Sequence, residues 1–332
     1  MVSKDKFLEV KDLTVEYISD GSVVHAVGGV SFELSRGEIL GLVGETGAGK
    51  TTIAKSILGI LPAMTARVTG GSVFFEGVDL LKKTEKEMLE IRGNKISMIF
   101  QDPMSALNPV MSVGSQIAEV ISLHNHINGE KARTRAIAML EMVGIPAERY
   151  EEFPHQFSGG MKQRVIIAMA LSCDPQLLLA DEPTTALDVT IQAQVLDMIT
   201  DLKRKFHTAM VLITHDLGVI AETCDQVAVV YAGQIVEAGT KRDIFKDTRH
   251  PYTQGLFDSI PKMGGTEKWL KTINGMPPDP TDLPQGCVFA SRCPRAEKAC
   301  SKAAVPAMEV TQGHYCRCLF AKEVKGVCIA GD

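Results

Sequence analysis

Gly44-Glu45-Thr46-Gly47-Ala48-Gly49-Lys50-Thr51 follows the apolar run Glu38-Ile39-Leu40-Gly41-Leu42-Val43 and opens a segment of helical character. The glycines let backbone N–H groups converge on phosphate oxygens, Lys50 can neutralise the outer phosphates, and the Thr51 hydroxyl can hold Mg2+ at the helix start. The plainer reading is a glycine-rich turn without a ligand, and the order strand, loop, helix argues against it. The stretch predicts a nucleoside triphosphate site with magnesium.

Upstream, Leu8, Val10, Leu13, Val15 and Tyr17, then residues 23–34, form short alternating β runs broken at Asp20-Gly21, so an antiparallel β portion is expected before the loop. Downstream, Val73-Phe74-Phe75, residues 96–100, Leu177-Leu178-Leu179-Ala180, Val211-Leu212-Ile213 and residues 227–231 read as strands interleaved with helical patterns. That alternation predicts an α/β fold with a parallel sheet. Ile191, Val195, Met198, Ile199 and Leu202 recur at helical spacing and give one apolar face directly after Asp188. Residues 111–144 predict two helices, started by Ser112 and Asn128, inserted as a helical lobe.

The chain has 332 residues, long for a single domain, which predicts one large domain with a smaller appendage. A formal net charge of −5 supplies no basic stripe and argues against a nucleic-acid partner. The longest apolar stretches, at 165–171 and 177–180, fall well short of a bilayer span, and Met1-Val2-Ser3-Lys4-Asp5 leads into no signal-peptide core. A cytosolic chain that can dock on a membrane protein is expected. From Asn274 the composition shifts to Gly275-Met276-Pro277-Pro278-Asp279-Pro280 and Leu283-Pro284-Gln285-Gly286, which reads as a linker. No repeat of fixed period is present, so a solenoid is not expected.

Three further segments carry chemistry. Leu177-Leu178-Leu179-Ala180 ends in Asp181-Glu182, two carboxylates at the strand edge where parallel sheets hold ligands. Asp181 can orient the Mg2+ shell and Glu182 can polarise the water that attacks the γ-phosphate; the bland alternative is a pair of helix-start acids. His215, after Val211-Leu212-Ile213-Thr214, can donate to the γ-phosphate or hold the water and Glu182 in register, where a lone histidine would more often be structural. Phe157-Ser158-Gly159-Gly160-Met161-Lys162-Gln163-Arg164 precedes a helical run and can form a second anion-binding helix start, with Ser158 and the Gly159 and Gly160 amides as donors.

The order of GETGAGKT, Gln101 in Phe100-Gln101-Asp102, FSGGMKQR, LLLADEP, Ala186-Leu187-Asp188 and Thr214-His215-Asp216 resembles the ATP-binding cassette (ABC) ATPases over residues 6–245. The resemblance implies a P-loop nucleotide-binding domain at 1–245, with a mixed sheet core, an antiparallel β portion and a helical lobe at about 105–172, followed by a small Cys-rich domain at 246–332. It implies a head-to-tail dimer in which each ATP lies between one phosphate loop and the other subunit's signature loop. On that pattern Gly44 to Thr51, Thr52, Gln101, Asp181, Glu182 and His215 serve one nucleotide, with Thr51, Gln101 and Asp181 around Mg2+ and with Glu182, His215 and Gln101 in catalysis. Ser158, Gly159 and Gly160 serve the partner's nucleotide, and Asp188 couples the sites. Tyr17 matches the aromatic residue that stacks on adenine; a strand tyrosine that only packs is the alternative. Phe157 stands where leucine is usual and Met161 where glutamine is frequent.

Residues 102–109 after Gln101, His250-Pro251-Tyr252-Thr253 and the cysteine tail are similar to the dipeptide/oligopeptide importer branch of that family. The resemblance implies two membrane permeases and an external peptide-binding protein as partners, a second ATPase subunit that is a paralogue by family habit, and a place at the cytoplasmic face of the membrane. The segment from Gln101 to about Val120 would face the permease. Alternatives are another cargo such as nickel, or a non-transport ABC ATPase acting on ribosomes or DNA. In the tail, Cys287, Cys293 and Cys300 precede Cys316-Arg317-Cys318. Four thiolates can hold Zn2+ or an iron–sulfur cluster, and the lack of paired C-x-x-C knuckles leans toward iron–sulfur; cysteines that merely fill a small core are the third reading. The resemblance implies a 4Fe-4S cluster on Cys287, Cys293, Cys300 and Cys318, with Cys316 as the alternative fourth ligand. Cys173 and Cys224 read as core residues, and Cys328 as spare.

Overall fold

A computed structural model describes residues 6–19, 21–102, 106–184, 189–260 and 272–322. The chain opens with strands β1 (Lys6–Ser19), β2 (Ser22–Ser35) and β3 (Ile39–Val43), helix α1 (Lys50–Leu58), strands β4 (Ala66–Phe75) and β5 (Val78–Asp79), and helix α2 (Glu85–Ile91). Next come β6 (Ile96–Ile99), α3 (Val113–Asn125), α4 (Glu130–Met142), α5 (Gly159–Leu171), β7 (Leu177–Asp181), α6 (Val189–Phe206) and β8 (Ala209–Ile213). It closes with α7 (Leu217–Thr223), β9 (Gln226–Tyr231), β10 (Gln234–Thr240), α8 (Lys241–Lys246), α9 (Pro251–Asp258), β11 (Met308–Thr311) and β12 (His314–Cys316). The described residues fall into two compact units, one drawn from 6–7, 34–39 and 79–213 and one drawn from 8–33, 40–78 and 214–322.

In the first unit, β6, β7 and β8 run parallel, with Ile96 opposite Leu177 and Leu177 opposite Ala209. Every residue of these three strands is buried, as the unbroken apolar runs require of strands covered on both faces. The expected α6 forms and buries Val195 and Ile199; the side chains of Ile191 and Leu202 lie outside the described residues. The two expected helices of the lobe are α3 and α4. Ser112 caps α3 by accepting from the Ser115 amide, as its position predicts. The start of α4 is one residue later than expected at Asn128: Gly129 is the N-cap, at φ 62°, a left-handed backbone that glycine adopts without a Cβ clash. Val113, Ile117 and Ile121 of α3 and Ala132, Ala136, Met139 and Leu140 of α4 are among the buried apolar positions of the lobe.

In the second unit a four-stranded sheet has the order β2, β1, β4, β5, and β4 lies antiparallel to β1 with Leu8 opposite Phe75 and Tyr17 opposite Ala66. Val73-Phe74-Phe75 therefore belongs to the antiparallel portion and not to the parallel sheet, a correction to the sequence reading. The reason is visible in its burial: Val73 and Phe75 are buried while Phe74 between them is not, the alternation of a strand with one covered face.

Also in this unit, β3 runs parallel to β9, β9 antiparallel to β10, β10 antiparallel to β12 and β12 antiparallel to β11. The β9–β10 hairpin turns at Ala232-Gly233, both with positive φ, as a two-residue hairpin turn demands. The last three strands were not expected from the sequence. Residues 272–286 carry no strand or helix, in keeping with the linker reading, yet Pro280 accepts a hydrogen bond from the His25 amide of β2 at 2.8 Å. Cys173 and Cys224 are buried, as expected of core residues.

Candidate functional site

The phosphate-loop sequence lies where the sequence reading put it, between the wholly buried β3 and helix α1. Two of its glycines are obligatory by contact as well as by dihedral. A Cβ on Gly44, at φ 152°, would lie 2.0 Å from the Val230 carbonyl oxygen, and one on Gly49, at φ 101°, would lie 2.4 Å from that of Ala26. Gly49 is also the N-cap of α1 and supplies no side chain, so the positive end of the helix dipole meets the loop without a capping oxygen in front of it. Lys50 is buried, and its Nζ donates to the carbonyl oxygens of Gly44 at 2.8 Å and Glu45 at 3.0 Å. The ammonium is thereby held over the loop. The Tyr17 hydroxyl lies 3.4 Å from Oγ1 of Thr52 on the first turn of α1, which brings the expected base-stacking residue to the loop's helix.

In the other unit β7 ends on Asp181, which is 2% exposed. Glu182 follows at φ 47°, a left-handed conformation rare for glutamate, with its amide donating to the Ile213 carbonyl at 2.9 Å. That bend turns the carboxylate toward Gln101, whose Nε2 donates to Glu182 Oε2 at 2.9 Å. The structure thus brings together Gln101 and Glu182, 81 positions apart in sequence, with Asp181 preceding Glu182 at the strand end.

Ser158 is exposed and caps α5, its Oγ accepting from the Met161 amide at 3.4 Å, with Gly159 exposed and Gly160 half-buried beside it. The two departures from the usual signature are served by one residue. The Arg149 guanidinium lies 4.2 Å from the Phe157 ring centroid and its Nη1 lies 3.1 Å from the Met161 sulfur, so aromatic and thioether share a cationic neighbour. In the second unit His215 is exposed, and Asp216 next to it caps α7 through the Gly218 and Val219 amides. Asp188 and Cys328 lie outside the described residues.

The tail cysteines separate into two kinds. Cys287, Cys293, Cys300 and Cys318 line one cavity with His250 and Phe289; Cys316 does not line it and is buried in β12. The Cys287 amide donates to the Cys300 carbonyl at 2.7 Å, tying two distant cysteines together, and the Cys293 amide closes a short turn on the Ala290 carbonyl at 3.3 Å. Burial raises the thiols of Cys287, Cys293 and Cys318 above their ordinary range, and neighbouring cysteines push the same way. Cys316 is raised by burial and then by Glu237. Among the described residues, no three His, Cys, Asp or Glu side chains converge as ligands to a single metal ion.

Two contacts to the phosphate loop escaped the sequence reading, one from Arg292, which it did not single out, and one from Tyr252, which it named only as part of His250-Pro251-Tyr252-Thr253. The Glu45 amide donates to the Tyr252 hydroxyl at 2.9 Å, and Arg292 pairs with the Glu45 carboxylate at 2.8 Å. No motif links positions 45, 252 and 292, and only folding brings them together.

A buried strand running into a glycine-lined loop that holds a lysine over a helix start defines a phosphate-loop nucleotide-binding protein. Residues 27–185 match the family model described as ABC transporter, and residues 236–300 match that of the oligopeptide/dipeptide transporter, C-terminal region. The dipeptide transport ATP-binding protein DppD of Bacillus subtilis is 50% identical over 90% of this chain and 90% of its own. The oligopeptide transport ATP-binding protein OppD of Escherichia coli is 47% identical over 95% of this chain and 93% of its own. A dimeric post-hydrolysis structure of the ATP-binding cassette MJ0796, bound to ADP and Pi, matches with a TM-score of 0.64 and 26% identity, covering 71% of this chain and 99% of that one. The chain belongs to the ABC transporter family of ATP-binding proteins, and it is an ATPase with the P-loop ABC fold.

Proposed function

We propose that this protein is the ATP-hydrolysing subunit of a transporter that imports dipeptides or oligopeptides, seated at the cytoplasmic face of the membrane. The observation that carries the reading is the union, in one chain, of the ABC match with the match to the peptide-transporter C-terminal region. Near-50% identity to peptide transport ATP-binding proteins over nine-tenths of the chain supports it. Among the described residues no helix is long and apolar enough to cross a membrane. A second ATPase subunit, two permeases and an external peptide-binding protein complete the assembly in this proposal.

On this reading residues 44–52 bind the triphosphate, Lys50 neutralises its outer oxygens, and Thr51, Gln101 and Asp181 surround Mg2+. Glu182 polarises a water that attacks the γ-phosphorus; the bond to the bridging oxygen breaks, leaving ADP and inorganic phosphate. Gln101 holds the Glu182 carboxylate, and His215 serves the γ-phosphate. Ser158, Gly159 and Gly160 form the signature loop offered to a partner subunit, with Asp188 coupling the sites and Tyr17 stacking on adenine. Residues 1–245 form the ATP-binding domain, with the helical lobe at about 105–172, and residues 246–332 the extension.

Cys287, Cys293, Cys300 and Cys318 line one cavity. Four cysteines lining one cavity are the donor set that a four-iron cluster takes. A 4Fe-4S cluster on these four residues is the proposed occupant, and Cys316, outside the cavity, is set aside as a ligand. When bound, such a cluster supplies a cross-link between four points of the tail and a redox-active group; the chain's part is to hold four thiolates in an apolar wall formed by Phe289 and Val305.

The test is copurification with phosphate release. Two hydrophobic chains should come with the tagged protein, and magnesium-dependent hydrolysis should rise when they and a peptide-loaded binding protein are present. Stable association with ribosomes or DNA instead would overturn the proposal.

A further inference from the structure

The Glu45 clamp lies outside the functions assigned above. Arg292 is nearly buried, with its side chain 5% exposed, and donates from Nη1 to Glu45 Oε2 at 2.8 Å and from Nη2 to Glu45 Oε1 at 3.1 Å. The same guanidinium donates to the Tyr231 hydroxyl at 3.2 Å and to the carbonyls of Ile273 and Asn274, each at 3.2 Å. Its fork is therefore fixed from all three nitrogens before it meets the carboxylate, the arrangement in which a bidentate pair is strongest. From the other side, the fully buried Tyr252 accepts from the Glu45 amide at 2.9 Å, and its ring stands 4.5 Å from that of Tyr231. Glu45 is held by backbone and side chain at once, two positions into the loop, while its carbonyl accepts from Lys50.

Arg292 ends the turn Ala290–Arg292, directly before Cys293, and the Arg292 amide bonds to the carbonyl of Phe289. Phe289 in turn packs edge-on against Tyr231 at 5.2 Å. The turn that carries Cys293 to the cavity wall thus also aims Arg292 at the phosphate loop.

We propose that Arg292 is a positioning residue for the phosphate loop, so that the cysteine segment of the tail sets ATP affinity through the Arg292–Glu45 pair. The proposal rests on the reading of residues 44–51 as the nucleotide site. Arg292 acts through Glu45, the loop's second residue, whose carboxylate it holds. A tie that served only to fasten the tail would alter stability and leave affinity alone.

The experiment titrates the full chain with a fluorescent N-methylanthraniloyl-ATP and Mg2+, alongside steady-state hydrolysis and thermal melting. Arg292→Ala and Glu45→Gln are each expected to raise Kd about tenfold, and for Arg292→Ala KM should follow Kd with kcat within a factor of two. The double variant should bind no more weakly than the weaker single one, because both remove one interaction. Arg292→Lys, which keeps charge without the fork, should fall between wild type and Arg292→Ala. If Arg292→Ala does not fold, Glu45→Gln carries the test, since it leaves the bonds from Arg292 to Tyr231, Ile273 and Asn274 in place. Kd within twofold of wild type for the folded single variants, or losses that multiply in the double variant, would overturn the proposal. Lys50→Ala separates the two readings. Its loss of nucleotide binding upholds the phosphate loop whatever Arg292 does, and wild-type affinity in Lys50→Ala would remove the loop reading itself.

Discussion

Gln101 donates its side-chain amide to the carboxylate of Glu182 at 2.9 Å, across two adjacent parallel strands that end at the same edge. A glutamate held in a left-handed backbone and steered by a glutamine has the features of a general base fixed for one direction of attack. Glu182→Gln should lower kcat for hydrolysis by about 100-fold or more while MgATP binding survives. Gln101→Ala should lower kcat by a smaller factor. Phosphate release and nucleotide titration on the same samples check both, and near-normal turnover in Glu182→Gln would remove Glu182 from its role.

The two loop glycines Gly47 and Gly49 differ in what surrounds them. Both have positive φ, but a Cβ on Gly47 meets nothing within 4 Å, whereas one on Gly49 meets the Ala26 carbonyl at 2.4 Å. Gly47→Ala should cost only backbone strain, about 1 kcal/mol, and Gly49→Ala clearly more. Urea denaturation of the two variants measures the difference, and equal costs would contradict the packing of the loop against β2.

Iron and sulfide analysis, with a visible absorption spectrum on anaerobically purified protein, distinguishes the cysteines. Cys287→Ser, Cys293→Ser, Cys300→Ser and Cys318→Ser should each lose the brown colour and the matched iron and sulfide. Cys316→Ser should keep them. Retention in Cys318→Ser with loss in Cys316→Ser would reverse the assignment of the fourth ligand.

His250 is buried, and burial pushes its pKa down to about 4, while its Nδ1 accepts from the Tyr252 amide. An unfolded histidine takes up a proton near 6.5, so between that pH and about 4 the unfolded chain binds a proton that the folded chain refuses. The associated stability is fully present above pH 6.5 and is lost as pH falls toward 4, about 3 kcal/mol in all. Below that the loss levels off. In denaturation series from pH 7 to 4.5, the advantage of wild type over His250→Gln should narrow on acidification; a constant gap would contradict the buried neutral imidazole.

The phosphate loop, the acid-ended strand and the signature helix start were legible because each is a local event: spacing, a glycine, a cap. The antiparallel placement of Val73 to Phe75 was not, since a short apolar run does not say which sheet it joins. Strand β12 was hidden for a similar reason. His314 and Cys316 look polar or reactive in sequence, yet both are buried, and His314 bonds to the buried Glu237 of β10 at 2.9 Å. Glu237 also accepts from the amides of Arg249 and His250, so a carboxylate that reads as a surface residue organises the approach to α9. The contacts of Arg292 and Tyr252 with Glu45 span more than 200 positions and carry no local signature. The preference for Cys318 over Cys316 came from the family resemblance, and Cys318 lines the cavity shared with Cys287, Cys293 and Cys300 while Cys316 does not.

The central claim is that hydrolysis by this chain drives peptide import. It is tested most directly by uptake of a radiolabelled peptide into proteoliposomes holding the complex purified through this subunit, with the peptide-binding protein on the far side and MgATP on the side of the ATPase. Accumulation that depends on ATP and stops with Glu182→Gln is the result expected. A complex that hydrolyses ATP at a rate indifferent to peptide, and accumulates none, would contradict it.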